Sequence, residues 1–224
     1  NEGCLRPIKI VAPERSLVNC KPPAPCSGSS VVSGWTAMSL AVRTLSLALA
    51  HSKESWRANA SWPTSHTEQI LTGKNRKGKP FFNSSLVGGA MGGGARANKD
   101  GLNFGSAPGS TTTSRLNAEN AEAMGPILVL FSKSRQDSGG AGKFRGGISG
   151  ESAFKLHGVN KAEALVFWVG KGLAASGIFG GNPGAPSMIA IKKNSNIMEL
   201  LPKKLPDWNN IAGEEQILSG SNPP

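Results

Sequence analysis

Glycine content is the feature that most limits how this chain can fold. The 224 residues include 29 glycines, about one residue in eight, which is roughly twice the usual share. Glycine and the 15 prolines together make up about one residue in five, below the ~25–30% typical of low-complexity disorder. A chain of this length can bury a sizeable core. The composition therefore excludes collagen and coiled-coil proteins and predicts a loop-rich globular chain.

The net charge of +11 raises the question of a nucleic-acid or membrane partner. The positive residues are scattered, and the densest run, residues 74–79, contains glycine but no aromatic side chain on which bases could stack. We expect this run to be a solvated loop, which leaves nucleic-acid binding as the weakest alternative. No apolar run reaches the ~18 residues that a membrane helix needs, so no membrane partner is expected.

Histidine and cysteine give little support for metal or nucleophile chemistry. The three histidines, His51, His66 and His157, are far apart and lack the close pair typical of metal sites. The three cysteines, Cys4, Cys20 and Cys26, are odd in number and lack CxxC spacing. No GxSxG nucleophile motif is present. We expect no metal site, reduced and buried cysteines, and a cytoplasmic protein.

The pattern of apolar residues predicts an α+β fold that is rich in β-structure. One long amphipathic helix is expected near residues 30–51, capped by Ser30 or Ser33. Its predicted core stripe consists of Trp35, Met38, Val42, Leu45 and Leu49. Residues 1–26 are predicted to form two strands with proline-rich joints, and residues 52–80 a polar surface excursion.

The second half of the chain has the signals of several short strands. The expected elements are a helical turn at Ala118–Met124 and strands at Pro126–Lys133, Glu151–Leu156, Ala164–Val169 and Met188–Lys192. Glycine-rich turns between these strands favour a β-sandwich or barrel-like arrangement. We therefore predict a strand–helix and glycine-loop region over residues 1–125 and a β-rich region over 126–224, within one structural unit.

Two glycine-bounded loops carry the candidate binding residues. In the first loop, Gly93 and Gly94 precede Arg96 and Asp100. At this spacing an arginine guanidinium and a carboxylate can bind each other, or together bind a polar ligand. Arg96 is the preferred anion contact, and Asp100 would orient it or accept from a substrate N–H. The second loop, Asp137–Gly147, repeats this pattern. Asp137 and Arg145 are expected to brace it, and the two loops are expected to lie together.

The glycines at 88–94 do not match a known phosphate-binding motif. They lack the Lys-Ser/Thr ending of a P-loop and the GxGxxG spacing of a dinucleotide site. Close approach of the backbone to a substrate or to a partner chain is the favoured interpretation.

Several of these segments resemble the hydantoinase B family, in the same order along the chain. The similar segments are NEGCLRPIKIVAPERSLVN (Asn1–Asn19), Gly93–Arg96 with Asp100-Gly101, Asn117–Glu122, Asp137–Gly147 and Gly180–Pro186. The resemblance covers about residues 1–190. The sequence departs from the family pattern at Arg15, where the family usually has Gly, and at Asn83–Ser85, where Tyr or Glu is usual.

The resemblance implies one part of a larger assembly. Full hydantoinase B subunits are more than twice as long, and the part present resembles their C-terminal half, so a fragment or split subunit is expected. The family implies ATP-dependent hydrolysis of hydantoins or 5-oxoproline, or carboxylation of acetone or acetophenone. ATP with Mg²⁺ is expected on a hydantoinase A-like partner, and any catalytic metal in the N-terminal half. The isolated chain would then be inactive. A scaffold subunit that contributes only an interface is the alternative.

Overall fold

The computed structural model describes residues 6–26, 34–62, 67–84, 91–105, 117–168 and 174–219. Within these ranges the fold is α+β and rich in β-structure, as predicted. The helices are α1 (Trp35–Ala50), α2 (Ala118–Met124) and α3 (Ile197–Leu200), with short 3-10 turns at Ser55–Arg57 and Trp208–Asn210. None of the helices in the described ranges has the length and apolar character to cross a membrane.

Within the described ranges the strands form three small antiparallel sheets. Their bounds are β1 (Thr67–Lys74), β2 (Pro80–Ser84), β3 (Ile127–Ser134), β4 (Gly150–Leu156), β5 (Glu163–Trp168), β6 (Ile189–Lys193) and β7 (Glu214–Ser219). The sheets have the orders β2-β1-β5, β3-β4 and β6-β7. The predicted strands of the second half and the α2 turn are confirmed to within about two residues.

The strand order of the second half differs from the predicted sandwich or barrel. β5 leaves β3 and β4 and pairs antiparallel with β1, with Ile70 opposite Leu165. The expectation of a surface excursion over 52–80 is therefore wrong, because Thr67–Lys74 forms the central strand of the three-stranded sheet. β1 pairs with β2 in a hairpin across residues 75–79 and with β5 about ninety residues further along the chain. The polar composition of residues 52–80 concealed the hairpin, and the pairing with β5 is not visible in local patterning.

The predicted strands in the first 26 residues are also absent from the described part of that segment. Residues 6–26 form turns and one isolated bridge between Ser16 and Asn19. Ile10 is 83% exposed, so the alternating apolar side chains have no described sheet to cover. Arg15 has φ 60°, a backbone conformation that favours glycine. This geometry explains why the resembling family usually has glycine at this position.

Helix α1 lies within the predicted residues 30–51 and spans Trp35–Ala50, but its most buried side is not the predicted stripe. Val42 and Leu49 of that stripe are half-buried. The stripe residues Met38 and Leu45 are exposed, whereas Ser39 and Ser46 are buried; the side chain of Trp35 and the predicted caps lie outside the described residues. At about 100° per residue, the buried side lies roughly a quarter turn from the stripe. The small serines allow close approach of the chain that follows, and the Asn59 N–H donates to Ser46 Oγ at 3.4 Å.

The exposed side of α1 is almost entirely apolar. The exposed residues between positions 37 and 48 are Ala37, Met38, Leu40, Ala41, Arg43, Thr44, Leu45, Leu47 and Ala48. Arg43 is the one charged residue among them, whereas an exposed helix surface is normally largely polar or charged. The helix is therefore apolar on more sides than the described neighbours cover, which is why periodicity alone could not identify its buried side.

Two small clusters form the described hydrophobic core. Leu71, Ala121 and Ile127 bring together β1, α2 and β3. Ile197, Leu200 and Ile211 form the second cluster, next to Leu130 of β3. Strand β3 therefore connects the two clusters.

The expectation of buried cysteines is wrong for two of the three. Cys20 and Cys26 are both exposed and free, in the turn-rich segment before α1. Cys4 lies outside the described residues.

Two leucine-to-alanine substitutions test which surfaces form the core. Leu71 is 4% exposed and Leu45 is 52% exposed. Leu71→Ala should lower the free energy of unfolding by ~2–5 kcal/mol, because it removes buried methyl groups and leaves a cavity. Leu45→Ala in the same chain should lower it by less than ~1 kcal/mol. Urea denaturation measures both, and equal losses would contradict the described core.

Candidate functional site

The two glycine-rich loops lie together and are joined through their backbones, as expected. The first glycine loop comprises residues 92–101, and the second comprises Asp137–Gly147. The Gly147 N–H donates to the Gly93 carbonyl at 2.9 Å, and the Gly101 N–H donates to the Arg145 carbonyl at 2.8 Å. The Gly93 N–H also donates to Leu102 at 2.8 Å. These bonds hold the two loops side by side without a regular sheet.

Glycine is required where the loops touch, because the backbones leave no room for a side chain. A Cβ atom on Gly92 would lie 1.8 Å from the Gly147 carbonyl oxygen. A Cβ on Gly94 would lie 2.1 Å from the Ala60 carbonyl oxygen. Both distances fall far inside van der Waals contact. The glycine content therefore reflects close packing of backbone on backbone at this point of the fold.

A polar cluster also joins the two loops. Asp100 Oδ1 accepts the backbone N–H of Arg145 at 2.9 Å, and Asp100 Oδ2 lies 3.5 Å from Arg145 Nε. Arg145 Nη1 donates to Asn103 Oδ1 at 3.1 Å. The described partner of Asp100 is therefore Arg145 of the second loop and not Arg96 of its own loop. Sequence spacing favoured the nearer arginine, whereas folding brings the distant one alongside.

A third segment, residues 174–187, packs against the second glycine loop. The Asn182 N–H donates to the Ala141 carbonyl at 2.8 Å, and the Ala185 N–H donates to the Ser138 carbonyl at 3.0 Å. Arg135 Nη1 donates to the Pro186 carbonyl at 2.7 Å. The Gly180–Pro186 motif thus forms one wall of the space that the two loops border.

The three segments surround a cavity of about 280 Å³. Its described polar and charged lining residues are Ser61, Arg96, Ser138, Lys143, Ser149, Ser176, Asn182 and Ser187. The described lining includes two cations and no Asp or Glu. The remaining lining is mostly glycine and alanine. The site therefore presents backbone and positive charge to a ligand.

Several hydroxyl groups line the cavity. Ser61 Oγ and Ser176 Oγ lie 2.9 Å apart, and Arg43 Nη1 of helix α1 donates to Ser61 Oγ at 3.2 Å. Ser187 Oγ is buried and has no hydrogen-bond partner among the described residues. A buried hydroxyl without a partner is costly. Ser187 is therefore a group that a polar ligand could satisfy.

The predicted site residues divide into two sets. Gly93, Gly94 and Arg96 line the cavity. Asp100 and Arg145 are absent from the described lining and connect the loops instead. Asp137 is absent from that lining too; it has φ 52° and begins the second loop in a left-handed conformation. The binding and bracing roles of these residues remain predictions.

Several lining residues were not singled out from the sequence, among them Lys143, Phe144, Phe179 and most of the serines. Lys143 and Phe144 lie at the tip of the second loop, with Lys143 Nζ 5.7 Å from the centre of the Phe144 ring. Phe179 is 67% exposed and has φ 54°. A left-handed backbone is strained for a bulky residue and occurs preferentially at functional sites. Its only sequence signal is its place directly before the Gly180–Pro186 motif.

Within the described ranges, no group of three or more His, Cys, Asp or Glu side chains comes together as a metal site would require. His157 Nε2 instead lies 3.5 Å from Arg76 Nη2, outside the cavity lining. The described cavity lining offers recognition by hydrogen bonds and by the charges of Arg96 and Lys143. Such a lining is suited to oxygen-rich anions.

Comparison with known proteins gives matches of three kinds. The sequence model of the family described as hydantoinase B/oxoprolinase matches residues 1–219. An uncharacterized protein of Methanocaldococcus jannaschii is 34% identical over 156 residues, which cover 70% of this chain and 25% of that protein. The nucleotide-free structure of acetone carboxylase, from a study of ATP-dependent acetone carboxylation, matches with a TM-score of 0.60 at 22% identity.

The two relatives are much longer than this chain. The acetone carboxylase match covers 83% of this chain and 26% of the acetone carboxylase chain. The chain thus spans about one quarter of the length of each of these relatives. At this identity, the structural likeness establishes a shared fold.

Substitution of a contact glycine tests whether the loops interlock as described. Gly92→Ala should lower the free energy of unfolding by about 1–3 kcal/mol or more, because its Cβ would collide with the Gly147 carbonyl. Gly142→Ala is the matched control, since its Cβ would meet the nearest atom, the Phe144 carbonyl oxygen, at 3.2 Å. We expect a much smaller loss for the control in thermal or urea denaturation. Similar losses for both variants would contradict the close contact.

Proposed function

We propose, because this chain belongs to the hydantoinase B/oxoprolinase family, that it is a component of an ATP-dependent, multi-subunit enzyme. Its substrate would be a cyclic amide of the hydantoin or oxoproline type, hydrolysed through a phosphorylated intermediate. The observation that carries this proposal is the cavity between the glycine loops, with two cations and no acidic residue in its described lining.

The chemistry of a cyclic amide explains why such a cavity would be useful. An amide carbonyl is a poor electrophile, and phosphorylation of its oxygen creates a reactive, ester-like group. That intermediate must be shielded from stray water until the intended reaction occurs. Arg96 is the candidate contact for the phosphoryl oxygens, since its planar guanidinium can donate to two oxygens at once.

Other lining groups would position the rest of the substrate. Lys143 adds a second positive charge at the cavity. Ser187 Oγ offers a buried hydrogen-bonding group that has no partner within the described part of the chain. Phe179 presents an exposed ring, which can cover an apolar part of a ring-shaped substrate. Asp100 and Arg145 would act through loop position, because they connect the two loops outside the described lining.

An ATP-dependent ketone carboxylase is the second candidate function. The structural match to acetone carboxylase favours it, because the two chains share this fold. Both candidates need the same step, phosphorylation of a carbonyl or enolate oxygen. In both, the phosphorylated intermediate must then be shielded from stray water until it reacts. The same cavity would serve either reaction, and the substrate that the assembled enzyme consumes distinguishes the two.

Helix α1 supports the proposal that this chain packs against more of the family polypeptide. Between Ala37 and Ala48 its exposed residues are apolar except for Arg43 and Thr44, and Met38, Leu40, Leu45 and Leu47 are all exposed. Such a surface is typical of an interface. The relatives compared above contain about three times as much additional polypeptide as the part this chain matches. We assign the apolar side of α1 to contact with that additional part.

The family relationship supports a proposal for the remaining components. ATP with Mg²⁺ would be bound by a hydantoinase A-like partner subunit. Any catalytic metal would lie in the N-terminal part of the hydantoinase B-like polypeptide. The isolated chain would be inactive and cytoplasmic. A non-catalytic scaffold subunit is the alternative, and it predicts that substitutions in the cavity leave turnover unchanged.

Replacement of Arg96 by lysine tests the proposed anion contact. Arg96→Lys keeps the charge but loses the two-pronged geometry. ATP-dependent turnover of hydantoin or 5-oxoproline by the assembled complex should fall roughly 10–100-fold, since a hydrogen bond to a charged group contributes ~1.5–3 kcal/mol. Native mass spectrometry should show that assembly is intact. Acetone and acetophenone, assayed with bicarbonate in parallel, test the carboxylase alternative.

Two further variants separate catalysis from assembly. Lys99→Arg, in the same loop but outside the described lining, should turn over at the wild-type rate. Leu45→Asp should prevent assembly, because it places a charge on the apolar side of α1. Wild-type turnover by Arg96→Lys would reject the anion contact and favour the scaffold alternative. Normal assembly of Leu45→Asp would reject the assignment of α1.

A further inference from the structure

The segment before α1 holds two thiols against each other at the surface. Cys20 Sγ and Cys26 Sγ lie 3.1 Å apart, and both residues are exposed. This separation is about 1 Å longer than the ~2.05 Å of a disulfide bond. Neither cysteine belongs to the cavity lining or to the described core. The pair is therefore a separate, solvent-accessible chemical site.

The local chain holds the two thiols in position. Three of the five residues between them are prolines, Pro22, Pro23 and Pro25, whose rings restrict the backbone. The Ala24 N–H donates to the Lys21 carbonyl at 3.0 Å and closes a turn. Cys26 Sγ also lies 3.6 Å from the Ala24 carbonyl oxygen. A restricted loop of this kind reduces the entropy that is lost when its ends are joined.

We propose that Cys20 and Cys26 form a redox modification site, in which a small-molecule disulfide of the glutathione type converts the two thiols to an intrachain disulfide. In the first step, the Cys20 thiolate attacks one sulfur of the disulfide. The Cys20 sulfur forms a new S–S bond while the old S–S bond breaks, and one glutathione leaves as a thiolate.

In the second step, Cys26 loses its proton to solvent and its thiolate attacks the Cys20 sulfur. The Cys20–Cys26 bond forms, the mixed disulfide breaks, and the second glutathione leaves as a thiolate. The two cysteines have then lost two protons and two electrons, and the glutathione disulfide has been reduced to two thiols. No other oxidant is needed.

The contact with Cys20 also affects the Cys26 thiol. The hydrogen bond with Cys20, together with the charge of that group, raises the pKa of the Cys26 thiol. Once Cys20 has formed the mixed disulfide, Cys26 is the thiol placed to resolve it. The contact of the two sulfurs, and not this shift, is the basis of the assignment.

Thiol counting and intact-mass measurement in a glutathione redox buffer test the site on the whole chain. The wild-type chain should lose two of its three thiols together, lose two hydrogen atoms in mass, and carry no lasting glutathione on these two residues. Cys26→Ser should lose one thiol and hold one glutathione on Cys20, because the resolving thiol is absent. Cys4→Ser is the matched control and should still lose two thiols together.

Other outcomes would overturn the assignment. Independent glutathione adducts on Cys20 and Cys26 of the wild-type chain would show that the thiols do not react as a pair. Peptide mapping that places the bond at Cys4 would also exclude the pair, and so would three thiols that all stay free. Because Cys20 and Cys26 are exposed, their serine variants should fold normally, and circular dichroism of each variant verifies this.

Discussion

The backbone contact between the two glycine loops is the constraint on which the site depends. Gly93 accepts from the Gly147 N–H, and Gly92 lies so close to Gly147 that a single methyl group would collide. Side-chain packing could not join the loops in this way, because any Cβ would separate them. Arg145 then adds a polar connection to Asp100, with both partners partly exposed. The cavity exists because backbone, not side chain, occupies the contact.

This construction gives the cavity its chemical character. A lining made mostly of glycine and alanine leaves recognition to a few side chains, chiefly Arg96, Lys143, Phe179 and the serines. Helix α1 contributes Arg43 to the serine cluster and leaves a largely apolar side exposed. The same element thus connects the proposed binding site to the proposed subunit contact. This arrangement suits one component of a larger enzyme.

The sequence predicted local features well and long-range features poorly. Strand β3 and helix α2 were predictable because a run of branched and aromatic residues and a short helical segment are both local signals. The pairing of β1 with β5 was not, since it joins distant segments. The buried side of α1 was missed because the helix carries apolar residues on most of its sides. The buried positions are those of the small residues Ser39 and Ser46, which allow close packing.

The candidate site followed the same rule. The glycine pattern correctly predicted that the two loops lie together, because dense glycine implies close backbone contact. The Asp100–Arg145 partnership required the fold, since Arg96 is nearer in sequence. The left-handed backbone of Phe179 gave no signal in composition or periodicity.

Amide hydrogen exchange, measured residue by residue by NMR, tests the central claim of backbone interlock most directly. The amides of Gly93, Gly101 and Gly147 donate to carbonyls within and between the loops. They should exchange at least about 100-fold more slowly than the amides of Ala97 and Asn98 at the exposed tip of the first loop. Exchange of all five amides at one common rate would contradict the account.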